Sequence, residues 1–182
     1  MLTVLLISQC ILVVVLIVFA VALLGMARQI GVLHERLQPL DPADQESGLE
    51  VGRAMPRMAL EGVDGPSVAV GEALLPGHRQ LLLFVAPDCP VCKRVIPSAL
   101  QISESGAADL VFVGDGSRPE LTELGKTVIR GRAPLTVAAE LGLVLQVSRL
   151  PFAAVVDEHG VLAARGLVSN SAHLEALLRE AA

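Results

Sequence analysis

Two cysteines separated by two residues stand where an apolar run stops and a helical pattern begins, in Phe84-Val85-Ala86-Pro87-Asp88-Cys89-Pro90-Val91-Cys92-Lys93. Residues 80–85 are almost entirely apolar, which reads as a strand buried on both faces of a sheet. Pro87 and Asp88 end the run. From Cys89 onward, Val91, Val95, Ala99 and Ile102 recur at near-helical spacing. Pro90 falls in the first turn, where its missing N–H would have had no intrahelical partner anyway. The cysteines therefore open a helix.

That placement has chemical consequences. The sulfur of Cys89 would lie beside unpaired backbone N–H groups and the positive end of the helix dipole, and both favour the thiolate. Only the thiolate attacks a disulfide, so Cys89 is the candidate nucleophile and Cys92, one turn on, the candidate resolving partner of a redox-active Cys89–Cys92 disulfide. Three competing readings stay open: a purely structural bridge, two buried free thiols, or half of a metal site. Zinc would require two further ligands at suitable spacing, and a second Cys-x-x-Cys or a His pair is absent. Lys93 follows Cys92 where covalent haem attachment would need His. Redox exchange is the preferred reading; neither a cofactor nor a metal is expected.

The 182 residues, 53% of them hydrophobic, suffice for one ordinary domain and a strongly apolar addition. The addition is N-terminal. Residues 2–26 carry no charge, and about 20 apolar helical residues cross the ~30 Å hydrocarbon layer. Ala20-Val21-Ala22 resembles a signal-cleavage site, but no basic stretch precedes the run and the run continues past it. The expectation is an uncleaved single transmembrane anchor over 1–27, a juxtamembrane linker over 28–48 and a folded domain over 49–182. Arg28 and Arg36 follow the span with no Lys or Arg before it, so the positive-inside rule alone would leave the domain in the cytoplasm. Dithiol chemistry argues for the other side, where disulfides form. Cys10, inside the span, reads as a small hydrophobe. The net charge of −5 and the lack of any Lys/Arg cluster exclude an electrostatic case for nucleic acid, and without Trp or Tyr there is no stacking platform.

Past the linker the elements alternate. Short apolar pieces in 50–80, with Asp64-Gly65 as the turn, suggest a hairpin ahead of the main sheet. Pro97 falls inside the cysteine helix, where it should kink it. A second buried strand over 110–113 is followed by Ser117-x-x-Glu120, a capping box opening a helix through Lys126. Gly114 to Ser117 is too sparse a pattern for a phosphate loop. A strand piece over 135–137, a helical turn or two over 138–145, a strand over 152–156, the turn Asp157-Glu158-His159-Gly160, a partner strand over 161–165 and an amphipathic helix over 171–181 complete the chain. Such an order implies an α/β fold with a mixed sheet covered by helices on both faces. His34, His78, His159 and His173 are scattered and read as solvated or capping residues.

With Cys-x-x-Cys at a strand-to-helix junction and Leu150-Pro151 opening a later strand, residues 50–182 resemble the thioredoxin fold, in its membrane-anchored branch. The apolar 2–26 span, Gly31-Val32-Leu33-His34-Glu35-Arg36 and the Cys-Pro-Val-Cys motif resemble the MauD family of methylamine utilisation proteins. The resemblance implies a periplasm-facing thiol–disulfide oxidoreductase acting on an exported disulfide-containing client, the small subunit of methylamine dehydrogenase, with a membrane redox partner. It also implies a cis Leu150–Pro151 bond facing the cysteines, with Leu150 and Pro151 contacting substrate. Reduction of apocytochrome thiols, or a non-enzymatic membrane-held assembly role, are the alternative functions. Two departures stand out. Asp88 replaces the usual Trp before the first cysteine, its charge opposing ionisation of Cys89, and Leu83 replaces a buried Asp, leaving the base for Cys92 unassigned.

Overall fold

In the computed structural model, residues 1, 6–9, 11–21 and 48–181 are described, and the chain divides into two compact units, Met1–Gln45 and Glu46–Ala182. In the first, residues 6–9 and 11–21 are helical and their apolar side chains are exposed. Among the described residues no helix is long and apolar enough to cross a membrane. The expected anchor over 2–26 reaches beyond the described residues, and Cys10, His34 and nearly all of the 28–48 linker lie outside them.

The second unit is built on β1 (Met58–Gly62), β2 (Val68–Val70), β3 (Gln80–Val85), β4 (Asp109–Gly114), β5 (Leu135–Val137), β6 (Phe152–Val156) and β7 (Leu162–Leu167). They form a seven-stranded sheet in the order β2-β1-β5-β4-β3-β6-β7. β3 pairs parallel with β4 and antiparallel with β6, so both its edges are occupied. All six of its residues are buried. Side chains alternate across a strand, and here both sets are apolar. Leu81, Leu83 and Val85 enter one core cluster, Leu82 and Phe84 the other. Each fully buried leucine contributes roughly 1.5–3 kcal/mol, which makes this strand the anchor of the fold.

The first cluster is covered by α1 (Pro90–Glu104), α2 (Arg118–Leu124) and α4 (Ser171–Glu180), through Val95, Ile96, Ala99, Leu100, Leu121, Leu124 and Leu174. The second is covered by α3 (Ala139–Val144) with Leu141 and, just beyond it, Leu145. Helices thus flank a mixed sheet on both faces, as the order of elements predicts. The β1–β2 hairpin is antiparallel, with Leu60 opposite Val68 and Asp64-Gly65 in the connection. α1 continues through Pro97 to Glu104.

The helix predicted through Lys126 differs in its second half. After Leu124 the backbone widens into a π-helical turn, Gly125–Ile129, closed by an Arg130 N–H to Gly125 C=O bond of 2.7 Å. The Thr127 hydroxyl bonds back to the Glu123 carbonyl at 2.7 Å, and Arg130 ends the turn with φ 57°. Side-chain bonding of this kind competes with the regular α ladder. The start of α2 is as read. The Ser117 N–H and hydroxyl both donate to the Glu120 carboxylate, at 3.1 and 2.6 Å, and these bonds hold the Glu120 pKa below its ordinary value.

The turn after β6 is also the one expected. Asp157 Oδ1 accepts from the N–H groups of His159 and Val161, both at 2.9 Å. The described histidines are peripheral: His78 faces Asp109 at 3.2 Å, His159 faces Glu158 at 3.6 Å and His173 meets Ser169 at 3.2 Å.

Candidate active site

β3 delivers the chain to the edge of the core at Val85, and the turn Ala86-Pro87-Asp88-Cys89, closed by Cys89 N–H to Ala86 C=O at 3.3 Å, redirects it into α1. Cys89 has extended backbone, φ −78° and ψ 110°, and is the N-cap of the helix, with Pro90 next. Its sulfur takes the place of the usual capping oxygen. The Cys92 N–H donates to Cys89 Sγ at 3.1 Å, occupying one of the donors that a helix start leaves without an intrahelical partner.

The two cysteines are joined by a disulfide, with Cα atoms 5.3 Å apart. Their surroundings differ sharply. Cys89 is half-buried, whereas Cys92 is 0% exposed and belongs to the apolar cluster that includes Leu83 and Val85. An incoming sulfur therefore meets Cys89 first.

The Leu150–Pro151 bond is cis. The register that sets Phe84 opposite Phe152 brings this bond alongside the end of β3 and hence beside the dithiol. Pro151 is buried, its carbonyl accepting from Val168 N–H at 3.0 Å, while Leu150 is half-buried. Among the described residues the backbone N–H and C=O of Leu150 make no hydrogen bond. Leu150 and Cys89 line one groove of about 1200 Å³. Asp88 and Asp115 lie in the same lining, as do Val147 and Arg149 and the α3 residues Gly142 and Leu143. A smaller cavity of about 820 Å³, between residues 63–66 and 125–135, contains neither cysteine.

Leu83 is fully buried in the cluster that holds Cys92, and the buried polar residues among those described are Gln80 and Thr136. Neither is an acid or base at neutral pH. Gln80 donates to the Ala69 carbonyl at 3.0 Å and Thr136 to the Phe112 carbonyl at 2.9 Å. Among the described residues, then, no buried carboxylate lies beneath Cys92, and no group of three His, Cys, Asp or Glu is placed to hold a metal ion.

No family model matches the sequence. Individual relatives do. The methylamine utilization protein MauD of Methylobacillus flagellatus is 35% identical over 158 residues, 87% of this chain and 77% of that one. The chain belongs to the MauD family. The MauD of Paracoccus denitrificans is 34% identical over the same length, covering 79% of its own chain. Among solved structures, MTB dsbF superposes with a TM-score of 0.58 at 25% identity, covering 69% of this chain and 95% of that one. A thiol:disulfide interchange protein of the thioredoxin family from Chlorobium tepidum superposes with a TM-score of 0.58 at 21% identity, covering 74% and 99%. The fold of this MauD-family chain is thus thioredoxin-like. With a joined Cys-x-x-Cys pair at the mouth of a groove, it is a thiol–disulfide oxidoreductase.

Sequence reading missed the far wall of the groove. Leu141 and Leu145, four apart, mark the buried face of α3, so Leu143 between them had to face away. That signal was available in the helical spacing. The place of Asp115 and Arg149 in the lining that holds Cys89 was not, because it depends on which strands become neighbours.

Proposed function

We propose that this MauD-family chain exchanges disulfides with an exported client protein through Cys89 and Cys92, with Leu150 and Pro151 forming the backbone seat of the client. The observation that carries this is the asymmetry of the pair: Cys89 reaches the groove, whereas Cys92 is sealed in the core behind it. In the reductive direction the Cys89 thiolate attacks one sulfur of a client disulfide, the S–S bond breaks, and the other client sulfur leaves as a thiolate. The Cys92 thiolate then displaces the bound client sulfur from Cys89. Two electrons pass to the client, which ends as two thiols, and the protein ends as the Cys89–Cys92 disulfide. A dithiol partner in the membrane restores the reduced pair by the same exchange. Run backwards, the sequence oxidises a client dithiol.

The Cys92 N–H that caps Cys89 and the helix dipole stabilise the Cys89 thiolate, whereas the nearby Asp88 opposes it. Among the described residues no buried base lies beneath Cys92 to take its proton. A backbone pair at Leu150 would hold the client strand in register with the dithiol.

The relatives' name, methylamine utilization protein, together with the sequence resemblance, supports the small subunit of methylamine dehydrogenase as the client during its maturation. The uncharged run over 2–26 supports a single membrane helix, with the 49–182 domain on the periplasmic side. The test is capture. In membranes from methylamine-grown cells, Cys92→Ser should accumulate a mixed disulfide whose released partner is the small subunit. A captured apocytochrome would redirect the assignment of client, and a Cys92→Ser chain that never forms a mixed disulfide would remove the exchange reading.

A further inference from the structure

The lining of the groove that holds Cys89 has a feature that the fold does not require. α3 is a short helix with a glycine in its interior, Gly142, and a leucine beside it, Leu143, that is 77% exposed. Glycine is the poorest helix former after proline. It is tolerated where a positive φ or a close approach demands it, and Gly142 has neither. Its φ is not in the left-handed region, and an added Cβ would meet only Phe84 Cε1, at 4.0 Å, an ordinary contact. Alanine would fit and would favour the helix. What alanine would change is the groove, because Gly142, Leu143, Phe84 and Cys89 share its lining.

The wall is held from behind. Leu141 and Leu145 are fully buried in the second cluster. The Val144 carbonyl accepts from Leu49 N–H at 3.0 Å, and the Leu145 carbonyl accepts from the Arg165 guanidinium at 3.3 Å. Leu143 is thus a large apolar side chain presented to solvent from a fixed backbone, at the edge of a notch that the missing Gly142 side chain leaves open above Phe84.

We infer that the Gly142–Leu143 notch is the specificity element of the exchange reaction, taking an aliphatic side chain that flanks the target half-cystine in an extended client segment. The inference rests on the exchange reading above, because the disulfide itself brings the client into this groove: once its sulfur is on Cys89, the residues next to it enter the space that Gly142 and Leu143 line.

The experiment uses the full-length chain in detergent, reduced, and follows its oxidation by three disulfides: oxidised glutathione, a short peptide disulfide with leucines flanking the cysteine, and the same peptide with serines. Each oxidant accepts two electrons and is released as two thiols. The expected result is a preference for the leucine peptide of about tenfold, the order that burial of one aliphatic side chain supplies. Leu143→Gln, a change at an exposed position, should abolish that preference, so that the leucine and serine peptides react at the same rate. Gly142→Ala should raise the melting temperature yet slow the leucine peptide, a combination that a purely structural role for the glycine would not produce. Equal rates for the two peptides with the unsubstituted chain, a preference that survives Leu143→Gln, or a Gly142→Ala chain as fast as its parent would overturn the notch while leaving the dithiol assignment standing. Failure of the unsubstituted chain to react with glutathione at all would bring down both.

Discussion

The backbone N–H of Cys92 points at the sulfur of Cys89 from 3.1 Å, so the residue that seals the core also caps the sulfur that faces the groove. The arrangement assigns different chemistry to two identical side chains. Burial disfavours a charged thiolate at Cys92, whereas an N–H donor and the start of a helix favour one at Cys89.

After reduction, alkylation at neutral pH should therefore modify Cys89 much faster than Cys92. Cys89→Ser should abolish exchange with oxidised glutathione. Cys92→Ser should react once and stop as a mixed disulfide, visible as a mass increase that a reductant reverses. Faster alkylation at Cys92 than at Cys89 would invert the assigned roles.

Leu83 is fully buried beside the region occupied by Cys92, where the resemblance places an acid in thioredoxins. Leu83→Asp puts a carboxylate into an apolar cluster with no counter-charge, and its expected cost is about 3 kcal/mol or more. Chemical denaturation of the oxidised chain measures it. An unchanged midpoint would mean that water reaches this position.

The capping carboxylate makes a pH-dependent contribution. Because the folded state holds the Glu120 pKa below its ordinary value, its stabilisation is present above the unfolded carboxylate pKa and is lost as pH falls through the folded one. Glu120→Gln should accordingly melt below the parent at pH 7, with the gap closing under acid conditions. Equal melting temperatures at both pH values would show that the bonds to Ser117 contribute nothing.

Gly77 and Gly160 share a left-handed backbone, with φ of 79° and 76°, but differ in space. A Cβ at Gly77 meets nothing within 4 Å, whereas one at Gly160 meets the Gly71 carbonyl oxygen at 2.9 Å. Alanine at Gly77 should cost about 1 kcal/mol from the backbone alone, and alanine at Gly160 clearly more. Matching denaturation midpoints for the two variants would contradict this.

A reporter fused after Ala182 that is active only in the periplasm should be active. Activity instead of a cytoplasm-dependent reporter at the same position would reverse the proposed placement and would agree with Arg28 and Arg36 acting as the positive-inside signal.

Much of the fold was legible in the residues. The unbroken apolarity of Gln80–Val85 announced a strand covered on both faces, the Ser117-x-x-Glu120 spacing announced a helix start, and Asp157 to Gly160 announced a turn. The widened turn at Gly125–Ile129 was not legible, because five residues are too few to reveal a shifted apolar period. The dithiol was the clearest signal of all, and its chemistry follows from one residue type repeated at one spacing.

What the sequence determined by itself was local: where strands and helices begin, and that Cys89 precedes a helix while Cys92 lies a turn inside it. Periodicity, capping and proline placement act within a few residues and are written in the chain directly. Only the tertiary structure decided which sulfur is accessible, and that Leu150, Gly142 and Leu143 line the same groove as it does. These depend on pairing between segments far apart in the chain, such as Phe84 with Phe152, and that pairing is selected by burial of the whole sheet rather than by any one stretch.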